Sequence, residues 1–146
     1  MAVLVEEIML SEVPTVSDFD TVGDVIQFMI RRKVSGVPVV DLEQRLIGYF
    51  SAQMFFQQLL EEAQKEAPLF GNLMSAIREK LREFAKREVS EFMTEDVEYL
   101  AAEDDVEDAL ELLQTTGLDL IPVVKEGRVV GVVNRVRVLQ AFLETK

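Results

Sequence analysis

The 146-residue chain contains no cysteine and no histidine. The first absence excludes disulfides, thiolate metal sites and a cysteine nucleophile, and the second removes the commonest general base and metal ligand. No apolar run approaches the length of about 18 residues that a membrane span requires, and no basic segment precedes the apolar residues at the start. We therefore expect a cytoplasmic, non-catalytic protein with no catalytic residues, no metal site and no contact with a membrane.

Positive charge is also scarce, because 15 lysines and arginines stand against 27 acidic residues and give a formal net charge of −12. A surface of this sign repels a polyphosphate backbone, so a nucleic acid is excluded as a partner. An anionic ligand would have to find a local cluster of cations. The hydrophobic content of 49% is ample for a core.

An internal repeat organises the chain. The apolar strand from Val34 to Asp41 is entered through a Gly-x-Pro turn, and a second copy from Leu118 to Val124 begins 84 positions later. The segment from Val5 to Met9 also recurs, as Val89 to Met93. Two half-length units that bury faces against each other are therefore predicted.

Each unit is predicted to run strand, helix, strand, strand, helix, which makes the fold class α/β (α+β). Thr21 and Asp105 are suited to cap the first helix of each unit, and Ser51 and Asn134 the last. Short polar loops between adjacent apolar segments predict two hairpins.

An amphipathic helical hairpin is predicted between the units. Its first helix should end near Ala67, since Pro68 follows. Its second helix begins at Leu73 and carries an apolar stripe with helical spacing, formed by Met74, Ile77, Leu81 and Phe84. The predicted divisions are 1–56 for the first repeat, 57–88 for the inserted hairpin and 89–146 for the second repeat.

The order of these segments, with the two Pro-containing strand entries and the strand ends Leu-Ile-Gly-Tyr-Phe-Ser and Val-Val-Gly-Val-Val-Asn, resembles a tandem pair of CBS domains, the cystathionine β-synthase-type repeats of a Bateman module. The resemblance covers about three quarters of the chain. It implies a pseudo-twofold pair of repeats, a homodimer, and clefts that bind AMP, ATP or S-adenosylmethionine as a regulatory ligand rather than a required cofactor. Residues 57–88 would form a longer insertion than the family usually shows.

The resemblance also implies two ligand sites. The first would use Thr15, Val16, Val34, Ser35, Gly36, Val37, Pro38 and Ser51. The second would use Tyr99, Leu100, Leu118, Asp119, Leu120, Ile121, Pro122, Asn134 and Arg137. The sequence departs from the family at the acid that usually binds the ribose, because Met54 and Arg137 occupy those two positions and neither accepts hydrogen bonds as a carboxylate does.

Several of these residues have a purely structural alternative. Ser51 and Asn134 suit helix caps as well as ligand contacts. Arg135 and Arg137 could bind phosphate or form salt bridges with the many carboxylates. Met54 suits a core or interface as well as a pocket. The acidic run from Glu103 to Asp108 has no metal-cage spacing and fits the start of a helix.

Two functions follow as hypotheses. The leading one is a regulatory module that binds an adenosine-type or other small anionic ligand in the clefts between the repeats. The alternative is a dimeric interaction scaffold whose inserted helices bind a partner protein, with no nucleotide bound. For the second hypothesis, the apolar stripe of the inserted hairpin could equally pack on this chain's own repeats.

Overall fold

A computed structural model describes residues 3–144, apart from the side chain of Phe70. In chain order the elements of the first half are α1 (Val5–Ile8), β1 (Val16–Ser17), α2 (Val22–Arg32), β2 (Gly36–Val40), β3 (Leu46–Ser51), α3 (Ala52–Phe70) and α4 (Leu73–Ala85). A 3-10 turn (Val89–Glu91) then leads to β4 (Leu100–Ala101), α5 (Val106–Thr116), β5 (Ile121–Lys125), β6 (Arg128–Val133) and α6 (Arg135–Glu144). The predicted order of strand, helix, strand, strand, helix is confirmed in both halves.

Each half forms a three-stranded sheet with the same topology. β2 lies between β1, which is parallel to it, and β3, which is antiparallel. β5 lies in the same way between β4 and β6, and the register shifts after Val123 as it does after Val39. Pro38 is tolerated in a central strand because β1 pairs only with the two residues that follow it.

The two equivalent helices α2 and α5 are capped as predicted but end differently. The Thr21 hydroxyl accepts a hydrogen bond from the amide of Asp24 at 3.2 Å, and the Asp105 carboxylate accepts one from the amide of Asp108 at 3.1 Å. α5 ends at Gly117 with a φ of 69°, whereas α2 ends at Lys33 with a φ of 58°. A lysine therefore occupies a left-handed position that the second repeat gives to glycine.

The two segments that precede the sheets are exchanged between the halves. Val5 and Ile8 belong to the hydrophobic cluster of the second sheet, and Val89 and Phe92 belong to that of the first. Backbone hydrogen bonds join Leu10 to Val132 in both directions, at 2.8 and 3.1 Å, and a second such pair joins Thr94 to Tyr49. We call residues 3–10 and 89–94 the exchanged leaders.

The helical hairpin is present, but α3 is longer than predicted. The expected end near Ala67 is wrong, because the helix continues through Pro68 to Phe70 and ends at Gly71, which has a φ of 86°. Pro68 lies in the final turn, so its missing amide costs the helix a single hydrogen bond close to its natural end.

The buried face of α4 also differs from the predicted stripe. Phe84 and Ala76 are buried, but Met74 is largely exposed, and Lys80, which the sequence pattern places on the polar side, is buried. The Lys80 ammonium donates to Glu66 at 2.6 Å and to Glu83 at 3.2 Å. The hydrogen bond to Glu66 raises the pKa of Lys80 above its ordinary value. An ion pair thus joins α4 to α3, and Lys80 lies with Ala76 and Phe84 on the buried face of α4, where its long apolar stem is covered.

Candidate ligand clefts

Two clefts lie between the repeats, and each takes residues from both. The larger one, the basic cleft, has a volume of about 470 Å³. The first repeat contributes Leu10, Ser11, Glu12, Pro14, Arg32, Lys33 and Val34, and the second contributes Leu120, Val132 and Asn134.

The smaller one, the tyrosine cleft, has a volume of about 250 Å³. The first repeat contributes Ser35, Gly36, Tyr49, Ser51, Gln53, Met54 and Gln57, and the second contributes Thr116, Gly117, Leu118 and Asp119. None of these lining residues carries a positive charge.

The floors of the two clefts are built from equivalent positions with different side chains. Tyr49 pairs with Pro38 in the first hairpin, as Val132 pairs with Pro122 in the second. The tyrosine ring is only 2% exposed and lies directly against Gly36, where a β-carbon would stand 2.7 Å from its Cε1 and Oη atoms. Glycine at position 36 therefore makes room for the ring.

The Tyr49 hydroxyl is buried and makes no hydrogen bond of normal geometry within residues 3–144. Burial raises the pKa of Tyr49, an effect that the backbone amide of Leu120 partly offsets and the charge of Asp119 increases. Tyr49 is therefore a neutral phenol at any physiological pH.

A hydrogen bond crosses between the repeats beside Tyr49. The Ser35 hydroxyl donates to the Asp119 carboxylate, and these two residues are equivalent positions of the repeat. Arg135 donates to the other carboxylate oxygen at 3.3 Å. The guanidinium of Arg135 is thus directed to a carboxylate, one of the two alternatives that the sequence leaves open.

Arg137 lies outside both clefts. Its Nε donates to the carbonyl of Ile8 at 2.7 Å, and its Nη1 donates to Gln140 at 3.1 Å. The side chain therefore holds the first exchanged leader against α6.

The charges of the basic cleft come from the end of α2. Arg32 donates to Glu12 at 3.1 Å, and both side chains are substantially exposed. Lys33 forms no ion pair within the part of the chain that the structure describes. Two adjacent cations at one wall are a notable concentration on a chain of net charge −12.

Ser51 and Asn134 are both helix caps and cleft residues. The Ser51 hydroxyl accepts from the amide of Met54 at 3.5 Å, a long contact, and Asn134 Oδ1 accepts from the amide of Arg137 at 2.9 Å. Capping and ligand contact are therefore compatible at these two positions. Met54 is half exposed and lines the tyrosine cleft.

The residues that the resemblance assigns to two separate ligand sites are grouped differently in the structure. Ser35, Gly36 and Ser51 of the expected first site face Leu118 and Asp119 of the expected second site. Val34 instead faces Leu120 and Asn134 in the basic cleft. Each cleft thus combines residues of both repeats, because the turn that follows the first helix of one repeat lies beside the end of the last strand of the other.

The remaining implied residues lie away from the clefts. Pro38 and Pro122 are buried within strands, Thr15 directly precedes β1, and the other buried members belong to the hydrophobic clusters: Val16, Val37, Leu100 and Ile121. Tyr99 lines a separate depression with Leu46, Val97 and Val124.

Several cleft residues are not predicted from the sequence, among them Glu12, Arg32, Lys33 and Tyr49. The run from Arg31 to Lys33 is visible in the sequence, but cations in the last turn of a helix are also favoured by the helix dipole, so the run alone does not indicate a ligand site. Lys33 aligns with Gly117 of the second repeat. This difference between equivalent positions is the signal in the sequence that marks Lys33.

A third cavity, the apolar groove, lies on the helices and has a volume of about 510 Å³. α2 and α3 form two of its walls and α4 the third; the lining includes Ile26, Ile30, Phe56, Leu59, Ile77 and Leu81. The equivalent space between α5 and α6 is only about 190 Å³. The turn from Lys33 to Ser35 borders this groove as well as the clefts.

Within residues 3–144 the structure contains no group of three or more acidic side chains arranged to hold a metal ion. No helix in the same range has both the length and the apolar character that crossing a membrane requires.

Two matches to one family model decide the classification. The model for the CBS domain matches residues 5–61 and 89–144, one range in each half. The chain belongs to the CBS domain family. The matched ranges leave residues 62–88, which hold the end of α3 and all of α4, between the two CBS repeats.

Relatives cover the CBS pair to different extents. Inosine-5'-monophosphate dehydrogenase of Methanocaldococcus jannaschii is 31% identical over 131 residues, which are 88% of this chain but only 21% of that enzyme. The chain thus spans about a fifth of the length of this relative. The uncharacterized protein MJ1426 of the same organism is 25% identical over 154 residues, which cover 96% of this chain and 91% of its own.

Solved structures show the same fold. The CBS-pair protein CBSX2 from Arabidopsis thaliana superposes with a TM-score of 0.78 at 22% identity, over 99% of this chain and 96% of that one. CBSX2 in complex with AMP superposes with a TM-score of 0.71 at 23% identity, over 97% of each chain.

Proposed function

We propose that this CBS pair is a regulatory module that binds a small anionic ligand of the adenosine type between its repeats. The observation that carries the proposal is the basic cleft, where Arg32 and Lys33 concentrate positive charge on an otherwise acidic chain. A relative, CBSX2, has been solved in complex with AMP. The cleft volume of about 470 Å³ falls within the range of roughly 300–1,000 Å³ that is usual for small-molecule sites.

The chemistry of the basic cleft suits a nucleotide monophosphate. Leu120 and Val132 offer apolar surface for a flat ring, and the two cations can bind a phosphate. Asn134 uses its amide oxygen as a helix cap. Its amide nitrogen, which donates to no residue in the described range, can donate to the ligand. No step of this function requires a chemical reaction.

The test is calorimetry and thermal denaturation with AMP, ATP and S-adenosylmethionine. We expect saturable stabilisation by at least one of them, because a ligand that binds only the native state adds about 2.7 kcal/mol at a hundredfold excess over its Kd. Inorganic phosphate at matched ionic strength is the control for a general salt effect. A flat response to the whole panel would contradict the proposal.

A second candidate, a dimeric scaffold, is favoured by the apolar groove. Ile30 and Phe56 border it and are 63% and 58% exposed, and Leu139, at the position equivalent to Phe56, is 67% exposed on the other repeat. We propose a second copy of the chain as the occupant, because equivalent helix pairs of both repeats carry apolar surface and a twofold dimer uses the same surface on each subunit. The face of α4 that bears Phe84 is already packed on its own repeat.

Light scattering on Phe56→Glu tests the dimer. We expect the native chain to have twice the monomer mass and the variant to have the monomer mass, because a charge in the centre of an apolar interface is strongly unfavourable. Phe19→Glu is the matched control, since Phe19 is also 54% exposed but does not line the groove. A monomeric native chain, or a dimer that withstands Phe56→Glu, would argue against this assembly.

A further inference from the structure

We infer that the two clefts are not equivalent: the basic cleft alone takes the phosphate-bearing ligand, one molecule per chain, and the tyrosine cleft is narrowed by Tyr49. This inference rests on the proposed function and deepens it, because it names the cleft, the chemical class and the number of ligands. Three independent observations support it: volume, charge and backbone conformation.

The volumes differ because the floor residues differ. Tyr49 stands where the basic cleft has Val132, and it fills the space that Gly36 leaves. The remaining volume of about 250 Å³ lies below the range of roughly 300–1,000 Å³ found for small-molecule sites. The ring lies against the backbone of Gly36 and its hydroxyl is buried, so it occupies floor space in this cleft that the smaller Val132 leaves open in the basic cleft.

The charges differ in sign. The tyrosine cleft contains the Asp119 carboxylate and no lining cation, and Arg135 already donates to that carboxylate from outside the cleft. A phosphate placed there would face a negative charge in a confined space. The basic cleft offers Arg32 and Lys33 against the single carboxylate of Glu12.

The backbone conformation points to Lys33. Its φ of 58° is left-handed, a conformation that is energetically costly for an L residue. The second repeat avoids this cost with Gly117 at the equivalent turn. Gln44 and Glu126 also have a positive φ, but they lie in hairpin loops, whereas Lys33 borders the basic cleft. Lys33 forms no ion pair in the described range, so its charge is available to a ligand in that cleft.

The experiment compares AMP with adenosine by calorimetry on the native chain, Lys33→Gly, Lys33→Gln and Arg31→Gln. The native chain should bind one AMP per chain, at least tenfold more tightly than adenosine. Lys33→Gly should lose this preference for AMP while its thermal midpoint rises, since glycine relieves the strained turn. Lys33→Gln should lose the preference without the gain in stability. Arg31→Gln is the matched control, because Arg31 lies in the same helical turn but outside both clefts, and it should leave AMP binding unchanged.

The possible results distinguish a failure of this inference from a failure of the proposed function. Two AMP molecules per chain, or an AMP preference that survives both Lys33 substitutions, would overturn the inference and leave the proposed function standing. An Asp119→Asn variant that binds AMP tenfold more tightly would also overturn it, by placing the phosphate in the tyrosine cleft. No binding of either compound to the native chain would overturn the proposed function itself, and the inference with it.

Discussion

Replacing Phe55 with alanine should lower the free energy of unfolding by about 3–5 kcal/mol, the cost of removing a large aromatic side chain from a packed core. Phe55 lies on α3 and its ring centroid is 5.4 Å from Phe50, 6.2 Å from Phe84 and 5.4 Å from Phe92. These neighbours come from β3, from α4 and from the second exchanged leader. The cavity left by the Phe55 ring would therefore weaken the packing of β3, α4 and the second exchanged leader at once.

Urea denaturation followed by circular dichroism measures this effect. Phe19→Ala is the matched control, because Phe19 is 54% exposed whereas Phe55 is 6% exposed, and its loss should lie within about 0.5 kcal/mol of the native value. Similar losses for the two variants would show that Phe55 is not the centre of the first core.

The second large effect is expected for Gly131→Ala, which should cost about 1–3 kcal/mol through overpacking. A β-carbon at this position would stand 2.5 Å from the sulfur of Met9 and 2.9 Å from the carbonyl oxygen of Leu10. The first exchanged leader crosses the second hairpin here, so the added methyl would push a hydrogen-bonded backbone away from β6. Gly48 is crossed in the same way by Met93 and Thr94 of the second leader.

The double variant Met9→Ala/Gly131→Ala tests the cause. Shortening Met9 removes the contact with sulfur but leaves the carbonyl of Leu10 in place, so denaturation should show at most a partial recovery. Recovery to the stability of Met9→Ala alone would mean that the leader backbone does not limit the space. Loss of amide protection at Leu10 and Val132 by hydrogen exchange would locate the disruption directly.

Much of the fold could be predicted from the sequence because the same pattern of helix caps, apolar segments and loops occurs in both repeats. Thr21 and Asp105 cap helices as their residue types indicate, and the two hairpins follow apolar segments separated by short polar loops. The errors concern Pro68 and Lys80. A proline near a helix end is tolerated, and a lysine can be buried when a neighbouring helix supplies the carboxylate, which a single-helix pattern cannot show.

The clefts could be predicted only in part. The resemblance implies ligand contacts around Gly36 and Leu120, and both residues line cavities between the repeats, but their contact with a ligand stays a prediction. The residues that face them across each cleft could not be predicted, because the exchange of segments between halves depends on long-range packing. The role of Tyr49 depends on a neighbour at position 36 with no side chain, a relation across two strands that sequence spacing does not reveal.

The exchanged leaders set an order on the synthesis of this protein. The first sheet can complete its core once Val89 and Phe92 have left the ribosome. Val5 and Ile8 precede the first repeat in the sequence, yet they pack against α5 and β5 of the second repeat. These two apolar side chains can therefore reach their native partners only after the second repeat has been synthesised. The first leader is thus buried later than the core of the first repeat, although it precedes that core in the sequence.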